Sequence, residues 1–411
     1  VTDVLIVGGG VIGLAAAVTL AQQGRSVKVL EPSPMRNAAS WGNAGHIAVE
    51  QVAPLASAAT FRAFPRRLFF RGGALSLPPS MVREWLPFGV RMLAASTPGR
   101  FKVGRDALAA LLGDAVPGWR RLSDAVGRPD LLRCDGHIVA WETAASGAAG
   151  RAAWEAADIG TARIEPVAGG DLRDIDAMTK GRVADAIQFR GSGQITDLSQ
   201  LADALEAALT AAGGTIVRAQ AFLRVENGRA VVDAHPADLV LVSAGTGSRR
   251  LMAAAGHAVP LIAERGYHIR ASADRWPSHL PPIVFEDRSM IVTGYADCVQ
   301  AASFVEFGRV DAPPDPRKWR RLEAHVAALG LPLAAPFARW LGARPTLPDY
   351  LPAIGRSRRV QNLFYAFGHQ HLGLTLAPVT AEIVAALIRG AATPIDATPF
   401  AVERFERTRT I

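Results

Sequence analysis

Three features predict an α/β protein built on a Rossmann-type dinucleotide-binding domain, discontinuous in the chain, beside a second domain with a mixed or antiparallel sheet. Near the start, "DVLIVGGGVIGLAAAVTLAQQGRSVKVLEPS" reads as strand, glycine turn, helix and second strand. Far downstream, "ADLVLVSAGTGS" is a continuous apolar run ending in small residues, as expected of a parallel strand buried on both faces whose carboxyl end meets a ligand. From Pro260 to Gly308 the chain alternates apolar and polar residues between Gly and Pro, the period of an antiparallel sheet.

In the first unit a β-branched run from Val4 to Val7 stops at Gly8, Gly10 and Gly13, which have GxGxxG spacing. The first glycine permits the tight turn, the second lets backbone approach a pyrophosphate, and the third lets helix pack on strand. Val11 and Ile12 open a helix whose unpaired N–H groups and positive dipole end face the phosphates. The helix extends to Gln23, Gly24 closes it, and a second strand from Val27 to Leu30 ends at Glu31, followed by Pro32. Glu31, 18 residues after Gly13, is placed to accept hydrogen bonds from an adenosine ribose. A carboxylate there repels the extra phosphate of NADP and leaves NAD and FAD open.

Composition bounds the partners. Of 411 residues, 49% are hydrophobic and 20% charged, so there is ample apolar surface for two interlocked domains. Lys and Arg exceed Asp and Glu by 45 − 37 = 8, but no basic run is interleaved with aromatics, so nucleic acid is not an expected partner. An anionic cofactor, an acidic substrate or a membrane surface suits the excess better. With only Cys134 and Cys298, neither a disulfide scaffold nor a thiolate zinc site is expected. A reducing compartment follows, hence a cytoplasmic protein, with peripheral contact on the inner face of the cytoplasmic membrane as the variant to consider. No secretory signal and no membrane-spanning helix is expected.

The dinucleotide domain is expected over 1–60, 185–255 and 340–411, and a substrate or cap domain over 61–184 and 256–339. The loop "PSPMRNAASWGNAGHI" offers Ser40 and Asn43 to a diphosphate or ring edge, with Gly42 and Gly45 allowing close approach. Phe61 to Leu93 mixes aromatics and leucines with six arginines, suiting a cap over a pocket or an interfacial segment whose arginines reach lipid headgroups. Helices are expected over 106–126, 144–159, 198–212 and 317–328. "LLRCDGHIVAWET" reads as a strand pair turning at Asp135-Gly136, and Asn227-Gly228 as a hairpin turn. "ARWLGARPTLPDYLPAIG" reads as an irregular connector, "NLFYAF" as a strand, and "GHQHLGLTLAP" as the turn into a last helix running to about Arg389. No Asp, Glu or Cys accompanies His369 and His371, so no metal site is expected.

The order of "GGGVIGLAAA…VLE", "SWGNAGHI", "ADLVLVSAGTGS", "RPTLPDYLPAIG" and "GHQHLGLTLAP" resembles the D-amino-acid oxidase-like superfamily of flavoenzymes over nearly the whole chain. It is most similar to the bacterial D-amino acid dehydrogenase branch. The resemblance implies a non-covalent FAD held by Gly8, Gly10 and Gly13 at the pyrophosphate and by Glu31 at the ribose. Ser40 and Asn43, Ala44, Gly45 and His46 would lie along the pyrophosphate and flavin, and Ala244 and Gly245 over the adenosine side. Gly368, His369, His371, Leu372, Gly373, Leu374 and Thr375 would deliver backbone N–H groups to the pyrimidine end, where the helix dipole stabilises negative charge on the reduced ring. Gly368 and Gly373 would be needed because side chains would collide with the ring, and Thr375 would reach a carbonyl oxygen.

The resemblance also implies oxidation of a C–N bond, with hydride passing from the α-carbon of a neutral amine to flavin N5 and no obligatory strong base. Arg344, facing the flavin, is the first choice to anchor the substrate carboxylate because its planar fork bonds bidentately; Arg265 is the second. A structural ion pair is the competing role for Arg344. Tyr267 and His268 would complete the pocket, His369 would line it, and Ser303 and Glu306 are further candidates. "ERGYH" and "GHQHLGLTLAP" look most like dehydrogenases of D-hydroxyproline, passing electrons to a quinone-type acceptor. D-Proline, other neutral D-amino acids and sarcosine-like acids fit as well. The alternatives are the flavin subunit of a multisubunit amino acid dehydrogenase, a glycine or sarcosine-type amine oxidase, and a tRNA- or thiazole-related flavoprotein.

Overall fold

In a computed structural model, residues 2–33 and 36–406 are described. Two large sheets share the chain. The first has six strands in the order Thr215–Val217, Val27–Leu30, Thr2–Val7, Ala237–Val242, Leu363–Phe367 and Ala353–Arg356. The first five run parallel, and the last is an antiparallel edge strand. Thr2–Val7 is central and pairs Val7 with Leu30 on one side and with Val242 on the other. The phosphate turn therefore leaves the carboxyl edge of the sheet between its two partners.

Helix Val11–Gln22 is apolar nearly all round because it is covered on several sides, by the C-terminal helix Gly373–Arg389 and by Leu198–Ala211. The C-terminal helix is the one among the described residues long and apolar enough to cross a membrane. Most of it is buried against the rest of the chain, as a core helix is.

The second sheet is mixed, with Ala338–Thr346, Ile262–Ser272, Cys298–Gly308, Met290–Gly294, Ile283–Phe285, His137–Trp141, Asp185–Arg190 and Arg163–Pro166 in order. Two of these strands cross the expected domain limits. Asp185–Arg190 joins this sheet rather than the first, and Ala338–Thr346 runs antiparallel to Ile262–Ser272, pairing Arg344 with Glu264. The expected irregular connector is thus a nine-residue strand. Its proline, Pro345, sits on an edge strand, where the lost N–H is tolerated.

The expected pair around Asp135-Gly136 does not form. Leu132–Arg133 pairs with Gly193–Ile195 in a small three-stranded sheet, while His137–Trp141 enters the large one. Gly136, at φ +85°, turns the chain from one sheet to the other, and a Cβ there would stand 1.8 Å from the Phe189 carbonyl oxygen. The expected helix over 106–126 is two helices, Pro98–Gly113 and Ala115–Ala125, and that over 144–159 ends at Glu155. Asn227 and Gly228 both have positive φ and close the hairpin Leu223–Val232 as expected. The arginine-rich segment forms helices Ala58–Arg67 and Val82–Ala95.

Candidate active site

Between the two sheets lies one cavity of 1770 Å³, well above the usual size of a single small-ligand site. One end is the phosphate turn. Gly8 adopts φ +118°, and a Cβ there would stand 2.5 Å from the Ser243 carbonyl oxygen. At Gly13 a Cβ would meet the Gly8 carbonyl oxygen at 1.9 Å, so only glycine lets helix sit on strand. Gly10 and Ile12 line the cavity, while Val11 is buried and its N–H donates to Ser40 Oγ at 3.1 Å. Glu31 lines the cavity, held by N–H donation from Gly9 to Oε2 (2.8 Å) and from Ser33 to Oε1 (3.2 Å). Each oxygen keeps a lone pair for a ribose hydroxyl. Pro32, Ala244 and Gly245 complete this end.

The loop from Ser40 to His46 is pinned from the second sheet. Asn43 O accepts from Tyr295 Oη (2.9 Å) and Gln300 Nε2 (3.0 Å), and Ala44 O from Thr293 Oγ1 (2.8 Å). Asn43 Oδ1 accepts from the Gly45 N–H at 2.9 Å. Gly42 is required because the Trp340 indole lies where a Cβ would stand. Thr375 staples the loop to the C-terminal helix: its Oγ1 accepts from the Ala48 N–H at 3.1 Å and lies 3.5 Å from His46 O. That hydroxyl is therefore committed within the chain and not to a cofactor carbonyl.

Gly373 does begin the last helix, with no crowding around a Cβ position. Gly368 is glycine for a different reason than expected, since at φ +79° its Cβ would meet Leu347 Cδ1 at 2.5 Å. Leu372 and Leu374 belong to the core, and Leu374 O accepts from Trp119 Nε1. His369 Nε2 is bound to Thr380 Oγ1 (3.0 Å), and burial pushes its pKa down to about 3. The neutral ring lines the cavity as expected, with its Nε2 committed to holding the turn onto the helix. His371, by contrast, meets Gln51 Oε1 at 2.6 Å on the cavity wall.

At the other end stands Arg344. Its Nη1 donates to Glu264 Oε1 at 3.2 Å, and with the side chain 29% exposed the rest of the fork opens to the cavity. Both roles weighed from sequence, ion pair and cavity-lining cation, coincide here. Thr346 Oγ1 (3.0 Å) and Tyr350 Oη (3.3 Å) donate to Glu264 Oε2, so the carboxylate orienting Arg344 is itself fixed. Gly266 leaves the slot in which the guanidinium lies, for its Cβ would be 2.5 Å from Arg344 Nη2. Tyr350 and Gln370 both carry positive φ, and Gln370 Nε2 donates to Tyr350 O, so strained backbone is held at this end by mutual contact.

Alternation along Ile262–Ser272 decides the remaining candidates. Glu264, Gly266 and His268 line the cavity, and Tyr267 borders it as well. His268 stacks on Trp340 (4.8 Å) and meets Gly42 O through Nδ1 (3.2 Å); burial, then Arg270, push its pKa down to about 3. Arg265 points the other way. It is fully buried, paired with Glu306 at 2.7 Å and donating to Ala312 O and Pro313 O, so it is no substrate anchor. Tyr267 Oη donates to the same Glu306 (3.2 Å) and accepts from the Asp315 N–H (3.1 Å), and burial raises its pKa to about 12. With Lys318 Nζ on Glu306, these residues form a buried ionic knot; Glu306 lies wholly within it, while Tyr267 borders the cavity with its hydroxyl committed to the knot. Ser303 lines the cavity but donates to Ser289 O.

One polar wall escaped sequence reasoning. His46 Nε2 meets Glu50 Oε1 at 3.1 Å, and His137, stacked on Phe189 and bound through Nδ1 to Ser192 Oγ, lies beside them. Burial works to raise the Glu50 pKa, but the His137 and His46 imidazoles outweigh it and hold it at about 2. Burial pushes His137 down to about 3. These three are the group of potential metal ligands found among the described residues, rather than His369 and His371. Only His46 and Glu50 are hydrogen-bonded to each other; His137 Nε2 stands 4.0 Å from Glu50 Oε1 and its ring meets that of His46 edge-on at 4.4 Å. Glu50, 137 − 50 = 87 residues from His137, gave no local signal; "ERGYH" did, because its alternation puts Glu264, Gly266 and His268 on one face.

A glycine turn opening a helix, an acid at the end of the second strand and an oriented arginine, all on one cavity, are the arrangement of a dinucleotide-dependent oxidoreductase. The chain belongs to the DAO family of FAD-dependent oxidoreductases, whose model, described as FAD dependent oxidoreductase, matches residues 3–387. It is 29% identical to a D-amino-acid oxidase of Bradyrhizobium diazoefficiens, covering 98% of both chains. It is 28% identical to D-amino acid dehydrogenase 2 of Ralstonia nicotianae, covering 98% of this chain and all of that one. Glycine oxidase from Geobacillus kaustophilus shares the fold, with a TM-score of 0.72 at 22% identity over 100% of this chain and 99% of that one. FAD is the cofactor, and Gly8, Gly10, Gly13 and Glu31 fit it by the cradle described above.

Proposed function

We propose that this enzyme oxidises the C–N bond of a D-amino acid to an imine, that its preferred substrates are cyclic, D-hydroxyproline or D-proline, and that its electrons pass to a quinone-type acceptor. FAD, when bound, supplies the two-electron acceptor for the hydride leaving the α-carbon. Arg344 binds the substrate carboxylate, and Glu264, with Thr346 and Tyr350 behind it, fixes the angle of the guanidinium. The cation also favours the neutral amine, which is the form able to release hydride. His268 and Trp340 form a flat apolar wall that excludes water and offers no base, in keeping with chemistry that requires none.

The observation carrying this reading is an arginine fork open to the same cavity as the phosphate turn, in a chain alike over its full length to enzymes named for D-amino acids. The cavity-lining side chains of His46, Gln51 and His371 support a substrate with a hydrogen-bonding group beyond its carboxylate and amine, as a ring hydroxyl would be. The test is anaerobic titration of the purified yellow protein with both epimers of proline and hydroxyproline and with acyclic D- and L-amino acids. Bleaching by the cyclic D-epimers at the lowest concentrations is expected. Bleaching by L-epimers alone, or only after a partner subunit is added, would replace this reading with another substrate or with the subunit alternative.

A further inference from the structure

Seven of the eleven most exposed large apolar side chains among the described residues lie between Leu55 and Val103. Four of them, Val82, Leu86, Val90 and Leu93, are exposed by 39%, 51%, 62% and 55% and recur at i, i+4, i+8 and i+11 of helix Val82–Ala95. They form one stripe along its outer face. The inner face is fully engaged: Phe88 packs on Phe307 with ring centroids 5.4 Å apart, Met92 is buried beside it, and Trp85 Nε1 donates to Pro78 O. The helix is therefore seated, and the stripe is not a core face awaiting its own chain. Phe70, in the preceding segment, is 77% exposed and carries Arg71 over its ring.

The charge around it is one-sided. Between residues 58 and 106 there are nine cations, Arg62, Arg66, Arg67, Arg71, Arg83, Arg91, Arg100, Lys102 and Arg105, against two acids, Glu84 and Asp106, the latter paired with Lys102 and Arg105. Glu84 is half-buried and faces Arg309. A second copy docked face to face would bring like charges together, so the stripe does not fit itself. We infer that this face docks on an anionic phospholipid bilayer, with Val82, Leu86, Val90, Leu93 and Phe70 in the headgroup boundary and the arginines on lipid phosphates. Leu86, Val90 and Leu93 also line the rim of the cavity. An apolar electron acceptor dissolved in the bilayer would then enter without crossing water; only this last consequence rests on the proposed function.

The test is sedimentation of the FAD-loaded full chain with vesicles of phosphatidylcholine alone and of equal parts phosphatidylcholine and phosphatidylglycerol. Binding to the anionic vesicles roughly tenfold above the neutral ones, weakened by high salt, is expected. Phe70→Asp with Val82→Asp should abolish it at low salt, and Arg83→Glu with Arg91→Glu should weaken it about tenfold, each with flavin content unchanged. Vesicle binding is read without substrate, so it can fail while the proposed chemistry stands, and the reverse. No binding to anionic vesicles, equal binding by the variants, or a dimer in solution that the same variants break would overturn the assignment.

Discussion

Gly266 and Gly13 are both glycines that a Cβ would crowd, and the atoms they would meet separate their roles. At Gly13 the obstacle is backbone, the Gly8 carbonyl, so Gly13→Ala is expected to break the βα junction and lose FAD. At Gly266 the obstacle is the tip of the Arg344 side chain, which can swing aside. Gly266→Ala is therefore expected to fold and keep its flavin while raising KM by about 10- to 100-fold, the loss of one or two charge-assisted hydrogen bonds worth roughly 1.5–3 kcal/mol. Arg344→Lys should do the same, because an ammonium lacks the bidentate fork. Steady-state kinetics with flavin quantitation check both; flavin loss in Arg344→Lys would make it a cofactor residue. Arg344 was legible from its residue type and motif. Arg265 was misread because a fully buried arginine paired with Glu306 carries the same local signature, and only alternation along Ile262–Ser272, which puts it opposite Glu264 and His268, tells the two faces apart.

Burial of histidines within particular elements sets the response to acid. His137 on strand His137–Trp141, His268 on strand Ile262–Ser272 and His369 ahead of the last helix are each pushed down to about 3 by burial. All three are neutral in the folded chain near neutral pH, whereas in the unfolded chain they take up protons below about 6.5. The unfolded state thus binds more protons, and stability must fall as pH drops from about 6.5 toward 3. Glu50, lowered from 4.5 to about 2, adds a loss of the same sign as pH falls below its unfolded value. The urea midpoint is expected to be flat above pH 7 and to decline between pH 6 and 4, with His369→Asn declining by about one proton less. A midpoint unchanged from pH 7 to 5 would contradict these placements. At the element scale, periodic segments such as Leu198–Ala211 and Leu363–Phe367 were readable because their pattern matches one face or full burial. Strand Ala338–Thr346 was not, because its proline and glycine mimic a loop and its pairing partner lies some eighty residues upstream.

For the molecule as a whole, the two ends of the chain meet. Helix Val11–Gln22 packs along helix Gly373–Arg389, and Thr375 ties the latter to the loop at His46–Ala48, so the phosphate turn and the final turn open on one cavity. Sequence made the first half of this visible through the glycine spacing and the acid. The wall of His46, Glu50 and His137 stayed hidden because two segments far apart in the chain, residues 46–50 and strand His137–Trp141, supply it. The central claim is that both ends clasp one FAD. Its most direct measurement is quantitation of the nucleotide released by denaturation, before and after reconstitution. One FAD per chain is expected, released intact without a covalent remnant and lost in Gly13→Ala. A chain that takes up no FAD on reconstitution, or that retains only a nicotinamide nucleotide, would contradict it.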